Sequence, residues 1–188
     1  MNPVFINTIS YQKNKRKCKK IKKSKKAFIL NKTINYDSSL GYGFDFNTAE
    51  NVKLNSDSFS IDTPVYFSVQ LPEGNYQVSV TYGSAVQNTN TTIKAESRRL
   101  MLDQHPLNKG ETATKIFNVN VRTPKISETA EIKLKDRDLG QLNWDDKLTL
   151  EFLGTVAIKS ISIIPIKEVT TVYLAGDSTV TDQDLEPW

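Results

Sequence analysis

At 188 residues, 38% hydrophobic and 9% aromatic, the chain can hold one ordinary core plus part of a second unit. No stretch approaches the roughly 20 apolar residues of a membrane span, and a lone cysteine, Cys18, excludes an internal disulfide or a cysteine zinc site and leaves the compartment undecided. The net charge of +4 hides an asymmetry: of 25 Lys and Arg, eleven lie at or before Lys32, so residues 33–188 carry 14 basic against 21 acidic residues, a balance of −7. An acidic body without an extended basic face argues against nucleic acid as a partner.

Residues 1–35 form a basic head. Ten of the fourteen residues from Lys13 to Lys26 are Lys or Arg. Like charges repel and stay solvated, and the head shows neither strand alternation nor a helical stripe, so it is expected to be disordered. Ala27-Phe28-Ile29-Leu30 is too short for the apolar core of an export signal. The head therefore reads as a non-functional stretch of the kind AT-rich DNA encodes, a degraded signal, or a tail for an anionic partner.

Residues 36–167 carry a β pattern. Phe44 and Phe46 alternate around Asp45. Val65, Phe67, Val69 and Leu71 alternate, Pro72-Glu73-Gly74-Asn75 supplies a turn, and Tyr76, Val78, Val80 and Tyr82 resume, which predicts a hairpin of 65–71 with 76–82. Further strands are predicted at 91–95, 98–103, 115–121, 130–135, 147–153 and 156–164. Leu148, Leu150 and Phe152 supply one inward face, Ile161 and Ile163 another. The one histidine, His105, precedes Pro106 and is expected in a surface loop rather than in catalysis. Short strands with regular turns and no helical period predict an all-β, jelly-roll-like sandwich.

Pro165 is expected to end the last sandwich strand. Residues 168–188 then begin something new: Val172-Tyr173-Leu174-Ala175 reads as a buried strand, followed at once by Gly176-Asp177-Ser178-Thr179. A serine on a Gly-containing turn after an apolar strand is how α/β esterases expose a nucleophile. Four such residues alone would equally make an ordinary turn. Without a second Gly after Ser178 this is not the Gly-x-Ser-x-Gly elbow.

The run from Tyr173 through Gly176-Asp177-Ser178-Thr179 to Glu186-Pro187-Trp188 resembles the first block of the GDSL/SGNH hydrolases, and within them the rhamnogalacturonan acetylesterase branch. Ala95-Glu96-Ser97-Arg98-Arg99-Leu100 and Leu142-Asn143-Trp144-Asp145-Asp146-Lys147 are similar to the galactose-binding-like domain found ahead of such esterases. The resemblance covers about 36–188. It implies a serine hydrolase of acetyl esters on pectin-type polysaccharide, without cofactor or metal, and secreted or periplasmic. Ser178 takes the nucleophile's place with its backbone N–H as one oxyanion donor, and Gly176 and Asp177 form the turn. The family's other oxyanion donors, a Gly and an Asn, and its Asp-x-x-His base have no counterpart here. The chain is therefore expected to be the front of an esterase, inactive by itself and lacking a C-terminal catalytic domain.

A stand-alone carbohydrate-binding module is the alternative. Its sugar-contacting cluster would be Trp144 with Asn143, Asp145 and Asp146, although Trp144 reads first as a core anchor at the head of strand 147–153. Arg98 and Arg99 point to opposite faces of a strand, and Arg98 joins Trp144 and Asn143 as a candidate substrate contact. Asp136-Arg137-Asp138 reads as a solvated turn rather than a calcium site.

Overall fold

The computed structural model describes residues 4–10, 24–30, 33–97, 99–136 and 142–172, the first two segments as backbone. Eleven strands follow in order: β1 Val4–Ser10, β2 Ser24–Leu30, β3 Tyr42–Asp45, β4 Lys53–Leu54, β5 Phe59–Ile61, β6 Val65–Gln70, β7 Gly74–Tyr82, β8 Thr89–Ala95, β9 Arg99–Leu107, β10 Ala113–Val121 and β11 Lys147–Ile166. One short 3₁₀ turn spans Ala49–Asn51, and Asp136 is also in 3₁₀ conformation.

The strands make an all-β sandwich whose two sheets share β11. Its first half pairs with β6 and β8, and β3 and β9 complete that sheet. Its second half pairs with β7, which carries β10, and on its other edge with β5 and then β1. Two separate strands were expected at 147–153 and 156–164; the chain instead arches from one sheet to the other without losing strand geometry. Gly154 makes this possible. Its φ is +94°, and a Cβ there would lie 2.3 Å from the Asn90 carbonyl oxygen.

The core fills from the period-two faces the sequence shows. Tyr76, Val78, Val80 and Tyr82 are buried from one sheet, and Val65, Phe67, Leu148, Leu150 and Phe152 from the other. Phe44, Phe59, Phe67 and Phe152 meet edge to face at centroid distances of 5.3 to 5.8 Å. Burial of each such ring contributes about 2–3 kcal/mol.

Several local expectations change. β6 and β7 are not a hairpin: β6 pairs with β11 and β3, β7 with β10 and β11. Each has its own apolar face, so residues 71–73 carry the chain across the core, and the two faces oppose each other rather than lie side by side. His105 lies within β9, beside Thr91 on β8. The restriction that proline imposes favours extended backbone, which a strand satisfies, and among the described residues β9 pairs with β8 alone, so Pro106 costs no ladder bond on the far edge. The strand expected at 130–135 is reduced to an isolated Lys125–Glu131 bridge in a mostly exposed loop. Phe46 leaves β3 in a left-handed turn with φ 54°.

The basic head, expected without strands, contributes β1 and β2. β1 runs parallel to β11 from Phe5 opposite Ser160 to Thr8 opposite Ile163, and β2 pairs antiparallel with β1. The three-residue β5 pairs with β11 only over Val156–Ile158, so the rest of that edge is open to another strand.

Because β11 goes out and comes back, both its ends lie at one end of the sandwich. This proximal end gathers the turns around residues 71–75, 96–99 and 121–123, the segment before Lys147, and the segment after Ile166. The distal end holds the Gly154 arch, Tyr82, Thr89 and His105.

Candidate functional site

The proximal end concentrates polar chemistry. β10 ends with Asn120 and Val121, and Arg122 follows it; Val121 turns into the core, which leaves its two neighbours on the other face. Arg122 donates from Nε and Nη2 to Asn120 Oδ1 at 2.9 and 2.6 Å. Arg99, at the start of β9, donates from Nη1 to the Asn120 carbonyl oxygen at 3.2 Å. Two guanidinium groups thus converge on one residue. The Arg122 guanidinium carbon lies 5.7 Å from the centroid of the Trp144 ring, a cation–π distance.

Trp144 is only partly buried, so it is not the core anchor first expected. Its φ is 72°, left-handed backbone that is rare for a bulky side chain. Asp145 fixes the following turn by accepting the Lys147 N–H on Oδ1 at 3.0 Å. Beside Trp144, the Asn143 side-chain oxygen is buried and has no hydrogen-bond partner. The structure therefore brings Asn143 and Trp144 together with Arg99, Asn120 and Arg122, which the sequence reading did not place at a site. A polar pair spaced two apart at a strand end, Asn120 and Arg122, was the available signal. Arg98, Gly176, Asp177 and Ser178 lie outside the described residues, as do Cys18, Arg137, Asp138 and the strand expected from Val172, except Val172 itself. Val172 is exposed and belongs to no strand.

Glu96 closes the β8–β9 turn with φ 54° and is 3% exposed. Burial pushes its carboxyl up to about 8, against the opposing backbone hydrogen bond to Thr149, with Asp145 adding to the rise and Arg99 and Lys147 opposing it. Glu96 is therefore largely neutral near pH 7. Burial also raises the Asp145 carboxyl. Burial works against the Asp45 charge too, but the Lys147 ammonium at 2.8 Å, the Phe46 N–H and the Ser68 hydroxyl hold that carboxyl below its usual range. The Lys147 ammonium in turn lies 4.7 Å over the Tyr36 ring.

The same end carries the chain out of the sandwich. Thr171 Oγ1 accepts from Asn75 Nδ2 at 3.1 Å, and Asn120 Nδ2 donates to Asn75 Oδ1 at 2.7 Å. A continuous series of contacts thus links Thr171, Asn75, Asn120, Arg122 and Trp144. Among the described residues no cluster of three or more His, Cys, Asp or Glu could hold a metal, and no helix is long and apolar enough to cross a membrane.

The chain is similar to an esterase. It is 29% identical over 160 residues to the uncharacterized esterase YxiM of Bacillus subtilis strain 168, a match covering 77% of this chain and 36% of the relative. It therefore spans little more than a third of that protein's length. No family model matches. Among solved structures, protein YxiM of Bacillus subtilis overlaps at TM-score 0.38 and 18% identity, covering 82% of this chain and 39% of that one. The family GH115 4-O-methyl-alpha-glucuronidase BtGH115A overlaps at TM-score 0.36 and 8% identity, covering 63% of this chain and 16% of the other. TmCBM61, solved with beta-1,4-galactotriose, overlaps at 0.27 and 12% identity, covering 68% and 83%. Overlaps of this size carry no functional weight.

Proposed function

We propose that this chain is the front part of a serine carboxylic-ester hydrolase acting on acetyl esters of pectin-type polysaccharide. Residues 36–167 are the accessory sandwich, and residues 168–188 begin the SGNH hydrolase domain. The observation that carries this reading is the similarity to an esterase over 77% of the chain, in a sequence that also contains Gly176-Asp177-Ser178. Ser178 Oγ attacks the ester carbonyl, its backbone N–H donates to the oxyanion, and Gly176 and Asp177 shape the turn that presents it. A base must take the Ser178 proton, and the chain's one histidine, His105, is held at the distal end by Tyr82, whose hydroxyl is 3.0 Å from Nδ1. On this reading the base is a residue of the hydrolase domain rather than His105 of the sandwich.

The test is a chimera joining this chain to the part of Bacillus subtilis YxiM beyond its matched segment. A cooperatively melting chimera that hydrolyses aryl acetates, and loses that activity in Ser178→Ala, is the expected result. A folded but inactive chimera would overturn the esterase reading. It would favour the second one, a carbohydrate-binding sandwich, for which the partly exposed Trp144 beside Arg122 is the specific support.

A further inference from the structure

We propose that the outer face of the β10–β7–β11 sheet is the docking surface for the stretch of this chain from Val172 to Trp188, the stretch that carries Ser178. Nothing in it requires Ser178 to be a nucleophile. Alternation fixes which side chains look outward. On β7, Tyr76, Val78, Val80 and Tyr82 are buried, so Asn75, Gln77, Ser79 and Thr81 face away from the core. The register sets the outward residues of β10, from Thr114 to Asn120, opposite them on one side, and those of β11, from Ser160 to Ile166, on the other.

This face is without charge. No Asp, Glu, Lys or Arg stands at any of these outward positions, although 24% of the chain is charged. The outer face of the other sheet is different: Asp45, Lys94 and Glu151 look out from it. Loss of charged residues marks the centre of a docking surface rather than a solvated face. Ile116 lies within the uncharged face and is 57% exposed. The polar residues around it largely satisfy one another. The Thr81 and Thr114 hydroxyls are 3.0 Å apart, and Asn120 Nδ2 donates to Asn75 Oδ1 at 2.7 Å. Covering such a face strands few polar groups.

The chain turns back onto this face as it leaves the sandwich. Ile166, the last residue of β11, lies opposite Asn75. Five residues later, Thr171 Oγ1 accepts from Asn75 Nδ2 at 3.1 Å. Asn75 faces outward, so Thr171 lies over the proximal row of the face, and the exposed Val172 follows directly. From Asn75 to Thr81 the face is about 20 Å long. Residues 172–188 can extend about 55 Å, enough to cross it.

The segment suits the face in composition. Val172-Tyr173-Leu174-Ala175 brings apolar side chains to meet Ile116. Asp177, Asp182, Asp184 and Glu186 follow, with no Lys or Arg from Val172 to Trp188. Carboxylates on other faces of an acidic body repel such a segment, and on this face it meets none. A second copy fits less well. Three strands over this length present about 300 Å², against about 800 Å² per partner in a stable complex of free chains. A segment pinned at Asn75 is already at high local concentration and needs less. The sandwich then holds the segment bearing Ser178 on a fixed platform rather than on a free tether.

The test is paramagnetic broadening in the 188-residue chain with Cys18→Ser. A nitroxide is attached at Asn118→Cys on this face, or at Leu100→Cys, which lies opposite Lys94 on the other sheet's outer face. The first label is expected to broaden the amide signals of residues 173–188 strongly, and the second only weakly. Ile116→Glu and Gln77→Glu each add a carboxylate to the face without touching the core, and each is expected to abolish the broadening. Gln77→Glu carries the test if Ile116→Glu lowers the melt. Equal broadening from both labels, none from either, or broadening unchanged by both variants overturns the docking. Broadening that passes between spin-labelled and isotope-labelled chains in a mixture gives the face to a second copy, and overturns it too. None of these readouts uses turnover, so the Ser178-dependent chimera assay stands or falls separately.

Discussion

Glu96 and Thr149 hold each other twice: the Thr149 N–H donates to Glu96 Oε1 at 3.1 Å, and the Glu96 N–H donates to the Thr149 carbonyl oxygen at 2.9 Å. A residue in left-handed backbone is thereby fastened to the first half of β11. The carboxyl that does this is buried and titrates at about 8 rather than near 4.5. The folded state thus holds a proton that the unfolded chain releases. Its contribution to stability is complete below about pH 4.5 and is lost as the pH rises through about 8. Glu96→Gln keeps the acceptor and removes the titration. The variant should match the wild type near pH 4.5 and melt several degrees higher near pH 9. A constant difference in melting temperature across that range would refute the assignment.

Asp45 and Lys147 make a largely buried pair, with side chains 18% and 19% exposed. Asp45→Ala leaves the ammonium with the longer Asp145 contact at 3.9 Å and the Tyr36 ring, and removes one of the two partners of the Ser68 hydroxyl. The expected loss is on the order of 2 kcal/mol, below the value for a fully dry pair because both groups keep some solvent. The depressed Asp45 carboxyl gives stability that is present above its unfolded value near 3.8 and lost as the pH falls through the lower folded value. Urea unfolding at pH 7 and pH 3 checks both: the gap between Asp45→Ala and wild type should shrink in acid.

Gly154→Ala should be among the most damaging single substitutions in the sandwich. The new Cβ meets the Asn90 carbonyl at 2.3 Å, on a backbone with φ +94°. Relief requires moving the arch that joins the two sheets or breaking its pairing with β8. A loss of about 2 kcal/mol or more is expected, read as a lower thermal midpoint. A midpoint within a degree of wild type would mean that the arch is not held as described.

The chain without added sequence should not turn over esters. The one histidine, His105, belongs to β9 of the sandwich and is engaged with the Tyr82 hydroxyl, 3.0 Å from Nδ1. Hydrolysis of an aryl acetate by the purified chain is expected at background, unchanged by Ser178→Ala or His105→Ala. Turnover lost in both variants would show that the two residues meet, and the placement of His105 would be wrong for the working protein.

What the sequence determined by itself was local. A period of two belongs to the side chains of one strand, so the inward faces of Tyr76 to Tyr82, Leu148 to Phe152, and Ile161 with Ile163 were legible without a partner, and with them the all-β sandwich. Trp144 and Asn143 stood out by residue type and neighbourhood. Only the tertiary structure decided which faces meet. An apolar face can be buried equally by a neighbour in its own sheet or by the opposite sheet, so nothing local separates a β6–β7 hairpin from two strands facing across a core. The same freedom lets one chain segment from Lys147 to Ile166 serve both sheets, and lets a strand of the basic head pair with the edge of β11. The candidate site is a further step removed from the sequence. Asn75, Arg99, Asn120, Arg122 and Trp144 are brought together because the arch at Gly154 returns both ends of β11 to one end of the sandwich. The neutral carboxyl of Glu96 likewise exists only because the fold buries it.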